Sequence, residues 1–224
     1  MKISICMPYW QRQSELDRSL AAYRRLYGHL DIEISICDDG TPVPVRAPGC
    51  VVTRLKSKRI GLNPCVPINA AVRASSGDVI VLTNPEVEHR EDVLTGMLAM
   101  LEHPDDYVTV ACQDVSGMWI AGPMVNYLYE NGRMPVPPNA HFHFCAMFHR
   151  ELFDRAGGFD EEYRFGRSLD DNDWLWSVAE AGARFKVAPG QVWHYKTPHS
   201  YAGSHLSNLE RLKAKWGHKW APRE

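Results

Sequence analysis

Residues 69–86 read Asn69-Ala70-Ala71-Val72-Arg73-Ala74-Ser75-Ser76-Gly77-Asp78-Val79-Ile80-Val81-Leu82-Thr83-Asn84-Pro85-Glu86. The stretch 69–75 has helical character, Gly77-Asp78 turns the chain, and 79–83 is the nearly continuous apolar run of a strand buried on both faces. A strand therefore ends just before Asn84. The carboxyl end of a buried strand is where open α/β sheets set their ligand crevice, so Asn84 and Glu86 stand where binding chemistry belongs.

Upstream the same alternation repeats. Residues 3–7 are apolar and stop at Pro8, and 14–30 carry Leu16, Leu20, Tyr23, Leu26 and Tyr27 at helical spacing. Residues 32–37 form a second β-rich run stopped by Asp38-Asp39-Gly40, and 51–55 a third before the basic cluster 56–59. Strands alternating with helices predict an α/β fold with a Rossmann-like, mostly parallel central sheet flanked by helices. Downstream, 91–101 reads as a helix and 117–139 as an irregular loop rich in Gly, Pro, Asn and aromatics. Further elements are an apolar run 142–148, a helix 150–156 stopped by Gly157-Gly158, and an aromatic helix 171–181. A strand at 185–187, a short run 192–195 containing His194, and a basic amphipathic helix at 207–216 complete the chain. The expected organisation is a single domain, 1–224. Residues 1–89 form a donor-side half, 90–206 an acceptor-side and catalytic half that includes a smaller acceptor-side subregion, and 207–224 a C-terminal helical segment.

Composition narrows the class. With 224 residues, 45% of them apolar, the chain can bury one continuous core. A formal charge of −2 gives no global nucleic-acid footprint. The six cysteines are scattered without a C-x-x-C pair, which points to a reducing, cytoplasmic setting. The N-terminus lacks the pattern of a signal peptide, and no run approaches the ~20 apolar residues that span a bilayer.

Three strand-end sites and one helix start carry the acids. Asp38 and Asp39 could accept a base N–H, and an ordinary Asp-Gly turn explains them equally well. Asn84 and Glu86 offer oxygen ligands for a hard cation, against a plain proline turn. Asp170, Asp171 and Asp173 place three carboxylates within four positions ahead of an aromatic helix. Their repulsion would raise at least one pKa, as a general base requires, but an N-capped first turn has the same spacing. His194 suits a metal ligand or a packed core imidazole.

Taken in order, these pieces resemble family 2 glycosyltransferases from Ile3 to about Gly217. The opening Ile3-Ser4-Ile5-Cys6-Met7-Pro8-Tyr9-Trp10 is similar to that family's first strand, and Glu33-Ile34-Ser35-Ile36-Cys37-Asp38-Asp39-Gly40-Thr41 to its second. Gly157-Gly158-Phe159-Asp160-Glu161, Asp170-Asp171-Asn172-Asp173-Trp174 and Lys215-Trp216-Gly217 match later motifs, and His194, followed by Tyr195 and Ser200, resembles the family's late histidine. The resemblance implies a GT-A fold and an inverting transferase that moves a sugar from a nucleotide diphosphate sugar, UDP-linked by preference. The acceptor would be a glycan, lipid-linked or other hydroxyl. It further implies Asp171 as general base beside Asp170, and a nucleotide site of Pro8, Tyr9, Arg12, Asp38, Asp39, Asn69 and Asn84. Glu86 and His194 would hold Mn²⁺ or Mg²⁺, and Gly158, Phe159, Asp160 and Trp174 would line the acceptor side. Two positions depart from the pattern: Ile68-Asn69 stands for Arg-Asn, and Asn84-Pro85-Glu86 for Asp-X-Asp. The neutral amide at Asn84 implies weaker cation affinity. It keeps open a catalytically silent nucleotide- or sugar-binding module and a metal-independent transferase. A sugar-phosphate nucleotidyltransferase is disfavoured, since the Gly-rich triphosphate loop of that class is missing.

Overall fold

A computed structural model describes residues 1–56, 63–121, 142–195 and 205–217. The first unit is β1 (Ile3–Tyr9), α1 (Gln13–Leu26), β2 (Ile32–Asp38) and β3 (Val51–Arg54), followed by α2 (Cys65–Ala74) and β4 (Val79–Thr83). Strands β3, β2, β1 and β4 lie side by side and all parallel, as the alternating sequence predicts. β1 shows why: Ile3, Ile5, Met7 and Tyr9 enter one core, while Cys6 enters the other, so the strand is covered on both faces.

The second unit adds β5 (Val87–Glu88), α3 (Leu94–Met100), β6 (Asp106–Asp114), β7 (Trp119–Ala121), β8 (Cys145–His149) and α4 (Arg150–Ala156). A 3₁₀ turn (Glu161–Phe165), α5 (Asp170–Glu180), β9 (Arg184–His194) and α6 (Leu206–Trp216) follow. Among the described residues the nine-stranded sheet runs β3-β2-β1-β4-β8-β6-β9-β5, with β7 on β6. β8 is antiparallel to both β4 and β6, so the parallel order is interrupted at the centre of the sheet.

β6, β9 and the short strands β5 and β7 differ from the sequence reading. β6 was not anticipated, although eight of its nine residues are buried and it is sandwiched between β8 and β9. The strand expected at 185–187 and most of the short run at 192–195 belong to one strand, β9. Its pairing with β6 jumps from Val110↔Ala188 to Ala111↔Gln191, leaving Pro189 and Gly190 as a bulge. Proline has no N–H to give the ladder, and Gly190 takes φ +95°, so this pair fits only a bulge. The basic cluster beyond Lys56, the loop from 122 to 139 and Ser200 lie outside the described residues. Among the described residues no helix is long and apolar enough to cross a membrane.

Candidate functional site

The carboxyl ends of β1, β2, β4 and β9 gather the expected residues at one edge of the sheet. Asp38 closes β2 wholly buried and accepts from Thr41 N (2.8 Å), Thr41 Oγ1 (2.9 Å), Val45 N (3.1 Å) and Arg54 (2.7 Å). Four donors use the lone pairs of a carboxylate, so Asp38 ties down residues 41–45 and has nothing left for a base. That corrects its assignment to the nucleotide. Asp39, 8% exposed, follows with its N–H bonded to Tyr9 O (3.0 Å). Tyr9 is a core residue whose hydroxyl reaches Gln13, leaving half-buried Pro8 as the ring at the rim.

Asn84, Pro85 and Glu86 form a turn closed by Val87 N donating to Asn84 O (3.0 Å), and Ser19 on α1 donates to Pro85 O (2.8 Å). Glu86 is thereby held between two partners. Its Oε2 lies 3.6 Å from Arg12 Nε and its Oε1 3.8 Å from His194 Nε2. His194 comes from the far strand β9, positioned by Val87↔His194 pairing and by Tyr195 N donating to Glu86 O (3.0 Å). Among the described residues no group of three or more His, Cys, Asp or Glu could hold a metal ion. A carboxylate and an imidazole 3.8 Å apart still fit a hard cation that keeps most of its shell from phosphate oxygens and water. Glu88 and His89, next in sequence, are engaged elsewhere. Glu88 accepts from Tyr195 and Arg90, while His89 is buried against Tyr27, and burial pulls its imidazole down to about 3.

The Thr83↔Cys145 pair of β4 and β8 carries residues 142–144 alongside this turn, and Thr83 Oγ1 donates to Phe144 O (2.8 Å). Phe144 turns its ring edge to His194, with centroids 5.3 Å apart. His143 faces the other way, 5% exposed and edge-on to Phe159, with Nδ1 3.5 Å from Asp171 Oδ1. Sequence reading missed His143, since within an apolar run it carries no signal beyond being polar. Asp171 and Asp170 open α5. Asp171 is 40% exposed at its side chain, while Asp170 is buried. Burial raises both carboxyls, and at Asp170 the neighbouring Asp171 adds to it, outweighing the helix N-terminus that favours the ionised form. Among the described residues, Asp170 Oδ2 and His143 Nδ1 have no hydrogen-bond partner. Buried polar atoms left unpaired cost about 1–3 kcal/mol each, which marks this as a site rather than a filler.

The approach to Asp170 is strained. Ser168 (φ +63°) and Leu169 (φ +72°) both occupy the left-handed region, a cost of about 1–3 kcal/mol per residue that packing must offset. Two buried amides hold them there. Asn63 bonds both N–H and C=O of Ser168, and Asn208 on α6 donates to Ser168 O and Tyr163 O.

The Gly-Gly-Phe-Asp-Glu stretch braces this site from behind, which corrects its acceptor-side assignment. Trp174 is wholly buried, stacked on Phe159 at 4.6 Å and bonded to Tyr107, so neither ring reaches an acceptor. Asp160 caps the 3₁₀ turn and is held by Arg211. Asn69, 1% exposed, donates to Phe159 O and Glu161 and accepts from Phe159 N. Its amide is committed to this loop and cannot also serve a nucleotide. Gly158 takes φ +72°, and a Cβ there would meet Asn69 Oδ1 at 2.9 Å.

A family model described as "Glycosyl transferase family 2" matches residues 4–157. A search of curated proteins finds no match. Among solved structures, S. aureus TarS 1–349 with UDP superposes over 88% of this chain and 61% of its own, with TM-score 0.67 and 15% identity. The same protein with UDP-GlcNAc gives 92%, 61%, 0.68 and 15%. The chain spans about three fifths of these structures. By the match across most of its length and by the sheet that carries these strand ends, the chain belongs to glycosyl transferase family 2, on the GT-A fold.

Proposed function

We propose that this chain transfers a sugar from a nucleotide diphosphate sugar, UDP-linked, to an acceptor hydroxyl with inversion at the anomeric carbon. The observation that carries the reading is the Asp170–Asp171 pair at the start of α5, its carboxyls raised by burial and Asp171 beside His143, whose neighbour Phe144 packs on the His194 ring. The complexes of TarS with UDP and UDP-GlcNAc support a uridine donor. In this mechanism Asp171 takes the acceptor hydroxyl proton as that oxygen bonds to the anomeric carbon, and the bond from that carbon to the diphosphate breaks. One displacement inverts the centre. Asp39 and Pro8 border the base, and Arg12 places a fixed positive charge beside Glu86. Mn²⁺ or Mg²⁺ held by Glu86 and His194 would supply charge neutralisation on the departing diphosphate.

Release of UDP from UDP-sugars, with and without Mn²⁺, tests this. Asp171→Asn is expected to lower turnover by about 10²–10⁴-fold, the usual worth of a general base. Near-wild-type turnover in that variant removes Asp171 from the role. A second reading, transfer without metal, is favoured by the Arg12 guanidinium 3.6 Å from Glu86, where it can stand in for part of a cation's charge. Activity that survives EDTA selects it.

A further inference from the structure

His143 sits two residues ahead of β8, buried, its ring edge against Phe159 and its Nδ1 3.5 Å from Asp171 Oδ1. An apolar side chain would pack against Phe159 as well and would leave no nitrogen unpaired. Two buried atoms on this spot have no hydrogen-bond partner among the described residues, His143 Nδ1, which faces Asp171, and Oδ2 of Asp170, its neighbour in sequence.

We propose that His143 is a positioning residue for Asp171, a neutral imidazole carrying its proton on Nδ1 and donating it as a hydrogen bond to Asp171 Oδ1, so that the other oxygen is aimed at the acceptor. This rests on Asp171 as the general base. During transfer Asp171 receives the acceptor proton while the new bond to the anomeric carbon forms and the diphosphate leaves. His143 keeps its own proton throughout.

The surroundings fix the charge state. Burial holds the His143 imidazole down to about 4, with Asp170 acting weakly in the other direction. The titratable groups facing the cluster are Asp170 and Asp171 on α5, Cys65 at the start of α2 and Tyr107 on β6. Burial pushes the Cys65 thiol up to about 12 and raises the Tyr107 phenol, so both stay neutral. A neutral donor bonded to the ionised form of a carboxylate favours that form, which opposes the raising effect of burial on Asp171.

Two measurements on the full chain decide the matter. Two-bond ¹H–¹⁵N correlation at pH 7, with His143 assigned by its loss in His143→Phe, is expected to show the Nδ1–H tautomer. Asp171→Ala should shift the ring signals toward Nε2–H. An Nε2–H imidazole in the wild type, or ring signals indifferent to Asp171→Ala, overturns the proposal. The kinetic measurement follows UDP release from UDP-GlcNAc across pH. His143→Phe keeps the ring against Phe159 and should move the acid limb of kcat/KM up by about one pH unit, a tenfold loss below the limb, with donor KM unchanged. His143→Asn, whose Nδ2 replaces the imidazole Nδ1, should restore the limb. A limb that does not move in His143→Phe also overturns the proposal. If Asp171→Asn retains its rate, or UDP-GlcNAc is not turned over, the base reading fails, and the NMR result alone judges the His143–Asp171 pair.

Discussion

At the scale of single residues, the number of donors around a carboxylate decides its use. Asp38 ends β2 and Asp171 opens α5, but Asp38 accepts from four groups and Asp171 faces one imidazole. A base must be ionised, and burial raises Asp171, so activity should be lost as pH falls through a value above the ordinary aspartate figure of about 3.9. A kcat/KM profile measures this. For Asp170 the linkage has the opposite sign from a salt-bridged acid. Its folded pKa is raised, so its contribution is favourable below the unfolded value and is lost as pH rises toward the folded one. Asp170→Asn should therefore raise Tm more at pH 8 than at pH 5. Gly158→Ala puts a methyl into Asn69 at φ +72°, and urea titration should register a loss of about 1–3 kcal/mol. The motif glycine was legible in the sequence as punctuation. Its partner Asn69, 89 positions earlier, was read as a nucleotide contact because neither residue announces the other.

At the scale of elements, α5 and α6 are fastened through Asp173, which is 1% exposed and accepts from Tyr163, Lys215 and Trp216 Nε1 (2.7 Å). Trp176 and Trp216 stack beside it with centroids 5.9 Å apart. Asp173→Ala would strand these donors and is expected to cost about 2–4 kcal/mol. Hydrogen exchange should then quicken in 206–216 before it does in β1 or β4. The same clamp presses Asn208 onto Ser168, so loss of activity should accompany the loosened helix even though α6 takes no part in the proposed chemistry. Helices and parallel strands were readable from periodicity. Of β9 only 185–187 was read as strand, since Pro189-Gly190 locally resembles a turn where tertiary pairing makes a bulge.

At the scale of the whole molecule, the candidate donor site joins the β4–β5 turn to the end of β9, elements more than one hundred residues apart in sequence. A ligand bridging them should stabilise the domain as a unit. UDP with Mn²⁺ at about 100 times its Kd is expected to add about 2.7 kcal/mol, read as a rise in Tm. His194→Ala should remove the Mn²⁺-dependent part of the rise and keep the part due to UDP alone. The sequence by itself determined that the first strands form a parallel block with polar strand ends, and the order of the motifs, because these follow from local periodicity and from turn residues. Tertiary structure alone decided that β8 enters antiparallel between β4 and β6, and that this register sets His143 beside Asp171 and Glu86 between Arg12 and His194. Pairing across the sheet and burial act between residues far apart in the chain, and no window of sequence contains both partners.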